Sequence, residues 1–231
     1  MNQQSGPVEL KRGWCLRRRI CLLVAAGAVG HGAFGQTQTN PNLNAQLLVA
    51  ARQGDVAAVD RVLREGAAPN SRNRLGKTAL LIACERGQDA LAERLLRAGA
   101  DVNQVSLEQV SPLMAASYGG HVDLVRRLLS AGAKTDPKDR MNKPAVIYAA
   151  GQGRAAALDL LLSAGVAINV AYENRLTALM WAAGQGHVEA VRLLMARGAD
   201  ATLRDDRGMT ALDMARANGH TGVEALLSGA P

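Results

Sequence analysis

Glycine recurs every 33 residues along most of the chain, and this spacing limits the possible folds more than any other feature. The first glycine column holds Gly54, Gly87, Gly120, Gly153, Gly186 and Gly219, without an insertion or deletion between them. A second column holds Gly66, Gly99, Gly132, Gly165 and Gly198. A fixed period of this length is typical of stacked structural units that bury their apolar faces only against their neighbours. The sequence therefore predicts a repeat solenoid.

Apolar residues follow the same register and indicate two helices in each unit. One column consists of Val62, Leu95, Leu128, Leu161, Leu194 and Leu227, which are expected to be the buried row of the second helix. The first helix is preceded by Thr78, Ser111, Pro144, Thr177 and Thr210, residue types that favour helix starts. The two glycine columns fit the ends of the two helices, because glycine adopts positive φ without strain. The fold class is therefore predicted to be all-α.

Two stretches within residues 73–105 resemble the ankyrin consensus, which reads TPLHxA and then LLxxGADxN. Residues 78–83 read TALLIA, and residues 95–103 read LLRAGADVN. The resemblance implies helix-turn-helix units joined by β-hairpins or turns, in about six repeats including both caps. The predicted rows are 42–72, 73–105, 106–138, 139–171, 172–204 and 205–231, within a repeat domain of residues 36–231 that leaves no room for a second domain.

The rows depart from that consensus at two positions. The histidine of TPLH is replaced by Leu81, Met114, Ile147, Met180 and Asp213, so an apolar contact is expected in its place. The hairpin glycine is kept at Gly76 and Gly208, whereas the three middle rows have Gln109, Asn142 and Arg175. The middle turns are therefore predicted to be less regular.

Residues 1–35 have the three parts of a signal peptide. A basic segment ends at Arg17-Arg18-Arg19, an apolar run extends from Ile20 to Val29, and small residues follow at Ala33-Phe34-Gly35. Cleavage after Gly35 would place the mature chain in the periplasm or outside the cell. The alternative is an uncleaved leader that anchors the chain in the inner membrane, although the run of about ten apolar residues is shorter than a span requires. The arginines fit Sec export and also loosely fit a twin-arginine signal.

The leader also accounts for most of the positive charge. Of 27 basic and 20 acidic residues, five basic and one acidic lie before residue 36, which leaves 22 and 19 and a net charge of +3. Cys15 and Cys21 belong to the leader, so Cys84 is predicted to be the only cysteine of the mature chain, without an intramolecular disulfide. The modest charge and the few aromatic residues argue against a nucleic-acid partner.

The residues that could support catalysis fit structural positions of the repeat. His121, His187 and His220 occupy the consensus histidine column after the first glycine, too far apart to share a zinc ion. Cys84 lies in a column of small residues, although nearby Arg86 leaves a redox role as the alternative. Asp139 and Asp205 are read as turn residues. We therefore expect no catalytic residue, metal or cofactor.

The resemblance implies a concave binding face formed by hairpin tips and first helices. The matching positions contain two basic groups on either side of an apolar centre. The residues predicted to bind a partner are Arg72, Arg74, Leu75, Lys77, Arg86, Val105, Leu107, Val110, Tyr118, Lys138, Arg140, Met141 and Lys143. Exposed apolar residues, arginine and tyrosine are typical of interfaces. The alternative is ordinary hairpin variation with basic tips that only increase solubility.

These expectations favour a monomeric, non-catalytic scaffold that binds an envelope or secreted protein. A partner with an acidic patch would complement the two basic groups. A specific inhibitor or activator of a partner enzyme in the same compartment is the alternative, since it would use the same face. No nucleic acid, and no membrane span after cleavage, is expected.

Overall fold

Twelve α-helices follow one another in six pairs within residues 40–229, the part of the chain that this computed structural model describes. The first helices of the pairs are α1 (Pro41–Gln53), α3 (Ala79–Glu85), α5 (Pro112–Gly119), α7 (Ala145–Gly151), α9 (Ala178–Gly184) and α11 (Ala211–Ala217). The second helices are α2 (Val56–Arg64), α4 (Asp89–Arg97), α6 (Val122–Ser130), α8 (Ala155–Ser163), α10 (Val188–Ala196) and α12 (Thr221–Ser228). The predicted all-α repeat architecture is confirmed, and residues 40–229 contain no β-strand. The predicted signal peptide, residues 1–35, lies outside the described residues.

The helix starts follow the capping residues of the sequence. Thr78, Ser111, Thr177 and Thr210 each accept a hydrogen bond from the backbone N–H three residues later. This bond satisfies one of the N–H groups that a helix start leaves without an intrahelical partner. Pro144 takes the same position before α7, without a side-chain cap.

The core is continuous along the stack. Each helix packs mainly against the other helix of its pair and against the equivalent helices of neighbouring pairs. The column of alanines in the first helices is buried, with Ala83, Ala116, Ala149, Ala182 and Ala215 fully inaccessible to solvent. Side chains this small let successive helices approach closely, so each pair depends on its neighbours for a buried interface.

The apolar replacements for the consensus histidine are buried as expected. Leu81, Met114, Ile147 and Met180 lie in the core, while Asp213 of the last repeat instead accepts hydrogen bonds from the backbone N–H and hydroxyl of Thr210. No helix between residues 40 and 229 is long and apolar enough to cross a lipid bilayer.

The burial pattern predicts a large difference in stability between alanine substitutions at two leucines of the same repeat. Leu128 of α6 is fully buried, whereas Leu107 is 50% exposed. We expect Leu128→Ala to lower the free energy of unfolding by about 2 to 5 kcal/mol, because it leaves a cavity. Leu107→Ala should change it by about 0.5 kcal/mol or less. Urea unfolding followed by circular dichroism would measure both, and similar losses would contradict this repeat register.

Candidate functional site

Five short loops, one before each of the first helices from α3 to α11, form the rim of the candidate site. Loop 1 is residues 73–77, loop 2 is 106–110, loop 3 is 139–143, loop 4 is 172–176 and loop 5 is 205–209. In every loop the N–H of the first residue donates to the carbonyl of the fifth, and the N–H of the fourth donates to the carbonyl of the first, over 2.9 to 3.2 Å. The loops therefore present equivalent positions at a 33-residue spacing.

The side chain of the first residue stabilises most of these loops. Asn73, Asp139 and Asp205 each use Oδ1 to accept from the N–H groups of the third and fifth residues, at 2.8 to 3.0 Å. Within loop 2, Ser106 Oγ accepts from a single N–H, that of Val110, at 3.2 Å. Such bonds are typical of Asx turns, and they confirm the prediction that Asp139 and Asp205 are turn residues.

The prediction of irregular middle turns is wrong for loops 2 and 3. Gln109 has φ of 61° and Asn142 has φ of 57°, so both adopt the left-handed conformation that Gly76 and Gly208 adopt in loops 1 and 5. The bonds across each loop keep this backbone although the residue is not glycine. Loop 4 does differ, because both Asn174 and Arg175 have positive φ and residues Glu173–Arg175 form a short 3₁₀ helix.

The first predicted basic group is partly engaged within the protein. The Arg72 guanidinium donates to the Val105 carbonyl at 2.6 Å, and the Lys77 ammonium lies 2.6 Å from Glu85 Oε1. Arg74 and Arg86 are exposed, and neither forms an ion pair or side-chain hydrogen bond with another residue in the range 40–229. Arg74 and Arg86 are therefore the members of this group most available to a partner.

The predicted apolar centre is split between core and surface. Val105 and Val110 are half-buried, and Val110 packs against the core. Leu107 and Tyr118 are about half exposed, at 50% and 51%. Leu75 and Met141, exposed by 60% and 54%, extend the apolar surface to the tips of loops 1 and 3.

The second basic group lies beside aromatic rings that our sequence analysis missed. Lys143 Nζ is 4.3 Å from the centroid of the Trp181 ring, and Lys138 Nζ is 5.8 Å from that of Tyr172. Arg140 is exposed and lies 3.7 Å from Glu108 of loop 2. A cation over an aromatic face is attracted by the ring quadrupole, so both lysines are positioned by the rings.

Tyr148 was also missed, and it links the inner helices to loop 3. Its ring meets that of Tyr118 edge-on, with centroids 5.9 Å apart, and its hydroxyl donates to Asp139 Oδ2. Burial and the bond to the Asp139 carboxylate raise the pKa of Tyr148 above its ordinary value. A signal for these residues existed in the sequence, since Tyr148 and Trp181 share a column with Ile82, Ala115 and Met214 on the first helices.

His187 and His220 are accounted for by hydrogen bonds to backbone carbonyls, and Cys84 is accounted for by packing. His187 Nε2 donates to the Gly151 carbonyl at 3.0 Å, and His220 Nε2 donates to the Gly184 carbonyl at 3.1 Å. Cys84 is fully buried, which raises the pKa of its thiol, and the nearby charges of Glu85 and Asp89 raise it further. A thiol that resists ionisation is a poor nucleophile.

A stack of helix pairs that presents a line of similar loops above its first helices defines a helical repeat protein with an extended surface for recognition. A family profile described as ankyrin repeats (3 copies) matches residues 47–140 and 146–231. The chain therefore belongs to the ankyrin-repeat family, whose repeats are generally protein-protein interaction modules. No curated protein matches the sequence.

The burial of Cys84 predicts slow alkylation in the native protein. With iodoacetamide at neutral pH, we expect Cys84 to react at least about 100-fold more slowly than in urea, because the thiol is both inaccessible and un-ionised. Peptide mass mapping would separate Cys84 from Cys15 and Cys21. Equal rates in the two states would reopen the redox role.

Proposed function

We propose that the chain is a non-catalytic scaffold that binds another protein of the cell envelope, or a secreted one, through loops 1 to 5 and the exposed side of the first helices. We call this surface the loop face. The family supports the class of function, since ankyrin repeats bind other proteins in general. The choice of face rests on the distribution of aromatic residues.

All the aromatic residues of the described region lie on the loop face. Residues 40–229 contain only Tyr118, Tyr148, Tyr172 and Trp181 among phenylalanine, tyrosine and tryptophan. Each is in a first helix or in loop 4, and each is at least partly exposed. Tyrosine and tryptophan are the residue types that most often dominate binding energy at interfaces, together with arginine. This concentration on one face is the observation that carries the proposal.

Exposed cations on the same face favour a partner with an acidic patch. Arg74, Lys138 and Arg140 are exposed in or next to loops 1 and 3, and Arg86 is exposed at the end of α3. Complementary charge at the rim of an interface accelerates association and suppresses wrong partners. The fold needs no second copy to complete this surface, so we propose that the protein acts as a monomer.

We also propose export, on the basis of the basic, apolar and small-residue segments of residues 1–35. Export would place the loop face in the periplasm or outside the cell, where envelope or secreted proteins are the available partners. In that compartment the domain would retain one cysteine, Cys84.

Cleavage of the leader gives a testable mass. We expect the protein isolated from the envelope fraction to begin near Gln36, because signal peptidase cleaves after small residues such as Ala33-Phe34-Gly35. Intact mass spectrometry would show this directly. A chain that still carries residues 1–30 would favour the anchored form and contradict cleavage.

Charge reversal on the loop face tests where the partner binds. We expect the triple variant Arg74→Glu, Lys138→Glu and Arg140→Glu to lose at least about tenfold in partner capture, because rim charges that steer encounter become repulsive. Capture from the envelope fraction, compared by quantitative mass spectrometry, would identify the proteins that depend on these residues. Thermal unfolding should change little, since exposed loop residues contribute little to stability.

The control variant reverses three arginines of similar exposure on the second helices. Arg61, Arg126 and Arg192 have side chains exposed by 61%, 59% and 62%, compared with 63% for Arg140. Arg127 is unsuitable, because it holds both carboxylate oxygens of Asp89 and also pairs with Glu93. If only the control variant loses the partner, the loop face is the wrong surface. If both variants retain it, the basic loop residues merely increase solubility.

A further inference from the structure

Neighbouring loops are joined by backbone hydrogen bonds, and this series is interrupted at one place. Leu107 N–H donates to the Leu75 carbonyl at 3.0 Å, joining loops 1 and 2. Arg140 N–H donates to the Glu108 carbonyl at 3.2 Å, and Asp206 N–H donates to the Asn174 carbonyl at 3.1 Å. Donor and acceptor are 32 residues apart in all three bonds, so the equivalent bond between loops 3 and 4 would run from Glu173 N–H to the Met141 carbonyl.

That bond is missing. Within residues 40–229, neither the Glu173 N–H nor the Met141 carbonyl takes part in any backbone or side-chain hydrogen bond. Of the four boundaries between adjacent loops, this one alone in the described region lacks the connecting bond. The two groups are therefore free to bond to a peptide backbone from outside the chain.

The cause lies in the sequence of loop 4. Its first residue is Tyr172, where the other loops have Asn73, Ser106, Asp139 and Asp205. A tyrosine has no oxygen close enough to the backbone to accept from the following N–H groups as those side chains do. Loop 4 adopts instead two successive residues with positive φ, Asn174 at 55° and Arg175 at 57°, which gives it a different path from loop 3.

A groove opens at the same boundary. It has a volume of about 450 Å³ and lies between loops 3 and 4, with Ile147 of α7 and Trp181 of α9 at its base. Met141, Tyr172 and Leu176 contribute further apolar walls. The groove thus combines an apolar base with an unpaired N–H and an unpaired carbonyl at its rim, a combination suited to an extended segment.

The charge around the groove favours an anionic occupant. Arg140 and Lys143 line it, and Lys138 lies over Tyr172 at its edge. Glu173 is the one carboxylate among the lining residues. Lys143 and Lys138 each lie over one face of an aromatic ring, so a further cationic side chain would be repelled there, whereas carboxylates would pair with these lysines.

We propose that an extended acidic segment of the partner protein binds in the groove between loops 3 and 4. Its backbone bonds to Glu173 N–H and to the Met141 carbonyl. An aliphatic or aromatic side chain packs on Trp181, and flanking carboxylates pair with Lys138, Arg140 and Lys143. This inference rests on the proposed function, to which it adds the site and the chemistry of the bound segment.

Selection from a displayed library of random nonapeptides tests the chemistry of the segment. With the full chain as target, we expect enriched peptides to carry carboxylates around one apolar residue. Synthetic copies of these peptides are then titrated against the full-length Trp14→Phe variant, in which Trp181 is the remaining tryptophan. Binding should change the Trp181 emission and weaken as salt is raised. Enrichment of basic peptides, or of none, would overturn the proposal.

Two matched pairs of variants test the geometry. Glu173→Pro and Glu173→Ala both remove a carboxylate, but only proline removes the N–H, and its ring suits the first position of the 3₁₀ turn. We expect the proline variant to bind the selected peptides at least about fivefold more weakly than the alanine variant. Equal affinities would show that the N–H is not used.

The second pair consists of two double variants. One introduces regular turn residues into loop 4, and the other, its control, introduces them into loop 2. Tyr172→Asn with Arg175→Gly gives loop 4 the residues that loop 1 has at these positions, and should close the gap and weaken peptide binding at least about tenfold. Ser106→Asp with Gln109→Gly makes the corresponding change, with the same change in net charge, in loop 2, and should leave binding unchanged. The proposal requires the two variants of each pair to differ in their affinity for the selected peptides. Equal affinity within either pair overturns it. The scaffold function is tested separately, and it fails if the unaltered chain captures no protein from the envelope fraction.

Discussion

Burial of each helix pair against its neighbours is the interaction on which the rest of the structure depends. Ala83, Ala116 and Ala149 are fully buried at equivalent positions, and the leucine column from Leu95 to Leu194 is buried beside them. Each helix of seven to thirteen residues is too short to be stable alone in water, so packing rather than intrinsic propensity must hold it. The regular spacing of the loops is a consequence, because each loop leads into a first helix whose place the stack has fixed.

Because packing between the helices stabilises the fold, the loop side chains are not required for stability. Loops 1, 2, 3 and 5 share one backbone conformation although their fourth residues are Gly76, Gln109, Asn142 and Gly208. A left-handed residue other than glycine has a cost, and the paired bonds across each loop offset it. The exposed positions can therefore differ from repeat to repeat, and a line of different side chains can be presented on one rigid support. This freedom is what makes recognition of a particular partner possible on a repetitive fold.

The repeat register explains both what could be predicted from the sequence and what could not. The glycine, alanine and leucine columns predicted the helix pairs and their buried residues, because spacing alone decides which positions of a helix face the core. The repeat register did not predict the backbone conformations of Gln109 and Asn142. These conformations depend on bonds made within the same loop, by Ser106 in loop 2 and by Asp139 in loop 3. Tyr148 and Trp181 were overlooked as binding residues since their column reads as core in the repeats with Ile82, Ala115 and Met214. A tyrosine or tryptophan ring at a position that smaller residues fill in other repeats must project partly to the surface. This difference in size was the signal in the sequence that these residues could contact a partner.

The two walls of the groove differ in how firmly they are held, and this difference suits recognition of a flexible segment. Three sets of hydrogen bonds hold loop 3. The Asp139 carboxylate accepts from the N–H groups of Met141 and Lys143 and from the Tyr148 hydroxyl. Arg140 N–H donates to loop 2. Within residues 40–229, loop 4 lacks these side-chain bonds, and its one backbone bond to another loop joins Asn174 to loop 5. A fixed wall defines the register of a bound backbone, while a wall with fewer bonds can adjust to its side chains. Tyr172 cannot make the side-chain bonds that the first residues of the other loops make, and it also provides an aromatic surface at the groove. A single change in the repeat pattern therefore accounts for both the opening and part of its lining.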